Sequence, residues 1–149
     1  MSLPTRVWLY GRDEDLPARK ELRAGPLTLL IEQGDLRSIS FDGREVVNRI
    51  YVAIRDRNWG TIAPVLSNVD EKIGKDSFRI SFDVENRERE IHFVWKGVIT
   101  GDPDGTITFS MKGMARSTFM RNRIGFCILH PAECAGARCR VWHASGTVE

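Results

Sequence analysis

Two short segments concentrate the side chains best suited to holding a polar ligand. Ile54 to Thr61 reads Ile-Arg-Asp-Arg-Asn-Trp-Gly-Thr, and Met120 to Arg123 reads Met-Arg-Asn-Arg. A guanidinium group binds a carboxylate through two parallel hydrogen bonds, and an indole face packs against apolar C–H surface. Arg55, Asp56, Arg57 and Trp59, together with Arg121, Asn122, Arg123 and the later His130, are therefore candidates for recognising a carboxylate or a polyol. A purely structural reading stands beside this one. Arg–Asp pairs and a tryptophan often anchor the end of a strand, and an Arg-Asn-Arg turn ahead of an apolar run is often just solvated surface. The sequence alone does not decide whether the two segments meet.

A second constellation is His130, Cys134, Cys139 and His143, spaced His-x3-Cys-x4-Cys-x3-His. Four nitrogen and sulfur ligands can bind tetrahedral zinc, but the spacing matches no standard finger, which needs a close Cys pair and a close His pair. Buried free thiols are common, so no metal is expected. There is no Ser nucleophile elbow, no Gly-rich phosphate loop and no His-Glu-x-x-His helix, and no cofactor is expected. His92, His130 and His143 are potential bases outside any recognisable catalytic motif. The carboxylates at Asp13, Glu14 and Asp15, and at Asp102 and Asp104, lie in arm and turn contexts that favour solvated surface.

The elements that must carry these residues are strands. In the run from Ser77 to Glu85, Phe78, Ile80, Phe82 and Val84 alternate with Arg79, Ser81, Asp83 and Glu85, a period of two that no helix reproduces. Ile91, Phe93 and Trp95 predict the facing strand, across a charged turn at Asn86 to Glu90. Leu27, Leu29 and Ile31 share a face ahead of a Gln33-Gly34-Asp35 turn. In the next strand Leu36, Ser38 and Ser40 oppose Arg37, Ile39 and Phe41. Asp42-Gly43 is a strong two-residue hairpin signal, after which Glu45 to Val47 and Ile50 to Ile54 continue the sheet. Pro64 assigns Thr61 to Ser67 to an edge or an irregular crossing. The turn at Gly101 to Gly105 leads into Ile107, Phe109 and Met111. Ile124 to Leu129 is apolar on both faces, which places it centrally in the sheet or between layers. Arg138 to His143 is expected to be a last strand. Residues 1–24 read as a first strand (Arg6 to Tyr10) and a connecting arm with a helical turn near Leu16 to Leu22; residues 25–149 read as the sandwich. The expected fold is all-β, a mostly antiparallel β-sandwich with little helix.

The 149 residues fit one ordinary domain that buries roughly 70% of its extended surface. Twenty-two basic residues nearly balance 20 acidic ones, which gives no strong field for nucleic acid or a membrane surface. No apolar run is long enough for a signal peptide or a transmembrane helix, and the three cysteines suit a reducing compartment, so the cytoplasm is the expected location. The chain stops shortly after Val141-Trp142, consistent with the first part of a larger sandwich or a longer protein. An unpaired edge there would favour self-association.

Five motifs in order resemble one family. They are Leu9-Tyr10-Gly11, Leu22 to Thr28, Gly43 to Val47, Arg55 to Thr61 and Asn122 to Pro131. Together they are similar to the N-terminal region of bacterial D-apionate lactonase-like proteins, over nearly the whole chain. The resemblance implies a much longer protein with an N-terminal β-sandwich, a TIM-barrel region and a C-terminal β region. The implied activity is hydrolysis of the lactone of a branched sugar acid in carbohydrate catabolism. TIM-barrel chemistry sits on the barrel's βα loops, so the resemblance carries no catalytic residue onto this chain. The expected function is a non-catalytic sandwich portion of such a hydrolase, with the missing C-terminal domains as partners. The alternative is a stand-alone module that binds a carbohydrate or sugar acid.

Overall fold

A computed structural model describes residues 3–11 and 13–149. Two antiparallel sheets pack as a sandwich. The strands are β1 (Lys20–Ala24), β2 (Leu27–Glu32), β3 (Asp35–Phe41), β4 (Arg44–Asp56), β5 (Pro64–Ile73), β6 (Phe78–Glu88), β7 (Ile91–Gly101), β8 (Ile107–Ala115) and β9 (Arg121–Leu129). One sheet has the order β1-β2-β3-β4-β9 and the other β5-β6-β7-β8. No helix among the described residues is long and apolar enough to cross a membrane.

The alternating run forms the centre. Phe78, Ile80, Phe82 and Val84 are buried along β6 and face the other sheet with Ile91, Phe93, Trp95 and Ile99 of β7. Phe82 meets Trp95 and Phe109 edge-on, and Phe109 meets Phe126 of β9 at 5.0 Å between centroids. Phe82 lies across from Gly97 in the ladder, and a Cβ on Gly97 would sit 2.5 Å from its ring. The ring thus occupies the space that the glycine leaves empty. The expected turns at Gln33-Gly34 and Asp42-Gly43 are present, each with positive φ at both residues, as two-residue hairpins require.

Several expectations are corrected. Thr5–Tyr10 is a short helix, not a strand. Pro4 precedes it, and Gly11, at φ 74°, closes it by donating its N–H to Val7 O; these end signals outweigh the β-prone residues between them. The arm's second half is β1, paired with β2, and no helical turn forms at 16–22. Leu22 and Ala24, two residues apart, both enter the core. In β3 a bulge with Ser38 at φ 49° puts Leu36 and Ile39 on the same buried face, although simple alternation opposes them. β6 runs on to Glu88, so the expected turn at Asn86 shrinks to Arg89 and Glu90.

β9 is an edge strand, not a central one. It pairs with β4, and Phe126 is 44% exposed. Its apolar residues serve both the inner face and an open side of the sandwich, which explains a run that alternation cannot assign. Pro64 does begin an edge strand, β5, as expected. Arg138 to His143 forms no strand of either sheet. Val141 instead exchanges backbone hydrogen bonds with Glu149, and Trp142 bridges to Val148, in a small terminal hairpin. Val141 and Trp142 thus pair with the last residues and do not extend either sheet, in which β9 and β8 are the last strands.

Candidate functional site

The two arginine-rich segments come together where β4 ends and β9 begins. Ile54 pairs with Ile124 and Asp56 with Arg121, with a register shift between them. Asp56 N–H donates to Gly60 O at 2.9 Å, closing a loop of Arg57, Asn58 and Trp59. Arg55 and Thr61 then form a bridge, and Ile62 N–H returns to Ile54 O. The Asp56 side chain organises this loop: its Oδ1 accepts the N–H groups of Asn58 and Gly60, both at 2.8 Å. The backbone folds so closely onto the carboxylate that a Cβ at residue 60 would lie 2.8 Å from Asp56 Oδ2, which explains the glycine. Trp59 sits at φ 70°. A bulky residue in this left-handed region costs about 1–2 kcal/mol, and such outliers cluster at functional sites.

Arg55 braces the same loop. Its Nη1 donates to Thr61 Oγ1 at 3.0 Å and Trp59 O at 3.3 Å, and its Nη2 approaches Tyr51 Oη at 3.4 Å. Arg55 and Asp56 are thus occupied internally, and each partner belongs to the loop or its own strand. The outward groups differ. Trp59 is 55% exposed, and the Arg123 guanidinium lies 5.3 Å from its ring centroid. Such a contact contributes about 0.5–1 kcal/mol at the surface. Arg57 and Arg121 are exposed and make no ion pair among the described residues. Asn122 is half-buried beside them. His130 is separated from this group: it follows Leu129, which pairs with Arg49, so the length of β9 (roughly 26 Å) lies between them.

Asn86 was missed in the sequence and holds the loop's exit. It is buried; its Nδ2 donates to Ile62 O at 2.9 Å, and its Oδ1 accepts the Trp95 Nε1–H at 3.0 Å. A buried amide bonded through both its nitrogen and its oxygen joins the loop to the second sheet. The signal was present: Asn86 continues the buried phase of Phe78, Ile80, Phe82 and Val84.

The remaining candidates do not assemble into a site. His130, Cys134, Cys139 and His143 form no cluster of three or more metal-ligating side chains among the described residues. His143 lies 3.6 Å from Glu149, and His92 Nε2 lies 2.7 Å from Glu85 on the outer face of the four-stranded sheet. Asp102 and Asp104 occupy the expected turn; Asp104 accepts hydrogen bonds from Thr106, which hold its carboxyl below the ordinary carboxylate range.

On the outer face of the five-stranded sheet three arginines share two carboxylates in a separate ion network. Glu32 is buried and holds Arg19, with Arg37 Nε at 2.7 Å in ionic contact but off the line of a hydrogen bond. Asp35 accepts Arg49 Nε at 2.9 Å, and the same guanidinium lies 4.1 Å from the Tyr51 ring centroid. Burial pushes the Asp35 carboxyl above its ordinary value, against the opposing pull of the Arg49 hydrogen bond and charge.

Residues 7–149 match the family model described as D-apionate lactonase, N-terminal domain. The chain is 34% identical to a D-apionate lactonase of Brucella anthropi over 143 residues, which is 95% of this chain but 24% of that protein. It thus spans about a quarter of the length of the curated relative it matches. No solved structure matches. The motifs read from the sequence, the sandwich and the match across almost every residue agree: this chain belongs to the D-apionate lactonase N-terminal domain family.

Proposed function

We propose that the chain is the non-catalytic N-terminal sandwich portion of a lactonase-like hydrolase acting on a sugar-acid lactone. The observation that carries this reading is the match of residues 7–149 to an N-terminal domain whose relative is about four times longer. Lactone opening requires a base or activated water, together with donors aimed at the developing oxyanion. Among the described residues, His92 is tied to Glu85, His143 lies near Glu149, and His130 follows the far end of β9.

The test is to assay this chain beside its full open reading frame on D-apionolactone. Turnover is expected from the longer protein alone. Comparable turnover by this chain, abolished by substituting one of His92, His130 or His143, would move the active site into the sandwich.

The second reading, a sugar-acid-binding module, is favoured by one observation: the Arg123 guanidinium lies over an exposed Trp59, with Arg57 in the same loop and Arg121 paired opposite Asp56, while Arg55 and Asp56 hold the loop. Arg57→Ala and Arg123→Ala are each expected to weaken D-apionate binding about tenfold, the loss of one charge-assisted hydrogen bond; Arg57→Ala should leave stability unchanged, and Arg123→Ala should lower it by no more than the about 0.5–1 kcal/mol of its contact with Trp59. Parallel losses of binding and stability would assign the cluster a structural role instead.

A further inference from the structure

The outer face of the four-stranded sheet carries a groove of about 540 Å³ across β5 to β8, within the size range of small-molecule sites. Lys96 of β7 lies directly opposite Lys112 of β8 in the ladder. Like charges in that position repel. Among the described residues neither lysine forms an ion pair, and the Arg116 side chain, also lining the groove, has none.

The five-stranded sheet shows how this molecule treats such a pair when it is only structural. Arg37 and Arg49 also face each other in register, yet each has a carboxylate of its own, Glu32 and Asp35. The lysine pair lacks this arrangement. Asp83, in register with Lys96 on its other side, instead accepts the Asn68 amide at 2.8 Å, and Glu85 is taken by His92. Asn68 stands at φ 50° in the register shift of β5 between Ser67 and Asp70, a bulge that re-aims a side chain. The groove therefore has a cationic bank, an acceptor bank at Asp83 and Asn68, and apolar surface from Val94 and Met114.

We propose that this groove binds a small polyhydroxylated monocarboxylate, with the carboxylate between Lys96 and Lys112 and the hydroxyls on Asp83 and Asn68. The carboxylate pairs with the two ammonium groups that have no ion partner, hydroxyl groups satisfy the acceptors, and the ligand's C–H surface covers Val94 and Met114. The site lies on the opposite sheet from the Trp59 loop, and its argument does not depend on the hydrolase reading.

Amide shifts of this chain, followed by NMR during titration with D-gluconate, acetate and erythritol, test the proposal. D-Gluconate is expected to produce saturable shifts along β7 and β8, acetate to bind about tenfold more weakly, and erythritol to produce none. Lys96→Ala and Lys112→Ala should each weaken D-gluconate about tenfold, Lys112→Arg should retain binding, and Arg123→Ala should leave it unchanged. The proposal is overturned if β7 and β8 show no saturable shift, if acetate binds as well as D-gluconate, or if the lysine variants bind normally. Shifts confined to the Trp59 loop would also overturn it, while leaving the accessory-domain reading intact.

Discussion

Arg37 and Arg49 on one sheet, and Lys96 and Lys112 on the other, are the same local arrangement with opposite outcomes. Both pairs sit directly across a ladder on an outward face. Arg37 is in ionic contact with Glu32, which it shares with Arg19, Arg49 is paired with Asp35, and Arg49 also stacks on Tyr51. The lysines are left open beside carboxylates that already have other partners. A like-charge pair thus becomes part of the framework when neighbouring turns deliver carboxylates to it. The β2–β3 turn at Gln33-Gly34 does this by placing Glu32 opposite Asp35. Where no turn does so, the charge remains available to a ligand. The Trp59 loop repeats the distinction at smaller scale: Arg55 is absorbed by Thr61, Trp59 O and Tyr51, while Arg57 and Arg121 are not.

The largest expected effect breaks the paired side. Glu32→Ala removes the buried carboxylate shared by Arg19 and Arg37 and should lower unfolding free energy by about 1.5–3 kcal/mol in urea titrations. A loss within about 0.5 kcal/mol, as for an ordinary surface site, would show that the two sides do not differ energetically.

A smaller effect separates pairing from burial at Asp35. Its folded pKa lies above the ordinary 3.8, with burial as the leading cause. The native state therefore holds this proton more tightly than the unfolded chain does. The Asp35 contribution is most favourable below 3.8 and declines as pH rises through the raised folded value. The stability difference between the protein and Asp35→Asn should accordingly shift against the protein on going from below pH 3.8 towards neutral. A difference that grows in the protein's favour would mean that Arg49 outweighs burial.

The smallest effect is expected on the open side. Lys112→Ala relieves repulsion and removes no ion pair, so stability should stay within about 0.5 kcal/mol or rise slightly. A loss above about 1 kcal/mol would reveal structural work by that lysine and remove the contrast.

Much of this architecture was legible in the chain. The alternation from Phe78 to Val84 identified the core face of β6, because side-chain direction in a strand is set by the strand's own backbone. The turns at Gln33-Gly34 and Asp42-Gly43 were readable because their positive φ values select few residue types. The same local logic, carried one step further, reaches Asn86, whose burial follows from its phase even though its partners do not. Five ordered motifs were enough to indicate the family.

Tertiary structure decided the rest. Strand order made apolar β9 an edge, and the Ser38 bulge turned Ile39 to the side of Leu36. Long-range pairing of β4 with β9 brought Arg123 to Trp59 and left His130 at the other end. Above all, it determined which cations found a carboxylate. A sequence lists charges, but neutralisation depends on distances between residues far apart in the chain. Arg37, Arg49, Lys96 and Lys112 look alike as a list of cations, and only the ladders and turns around them make two of them framework and leave two of them open.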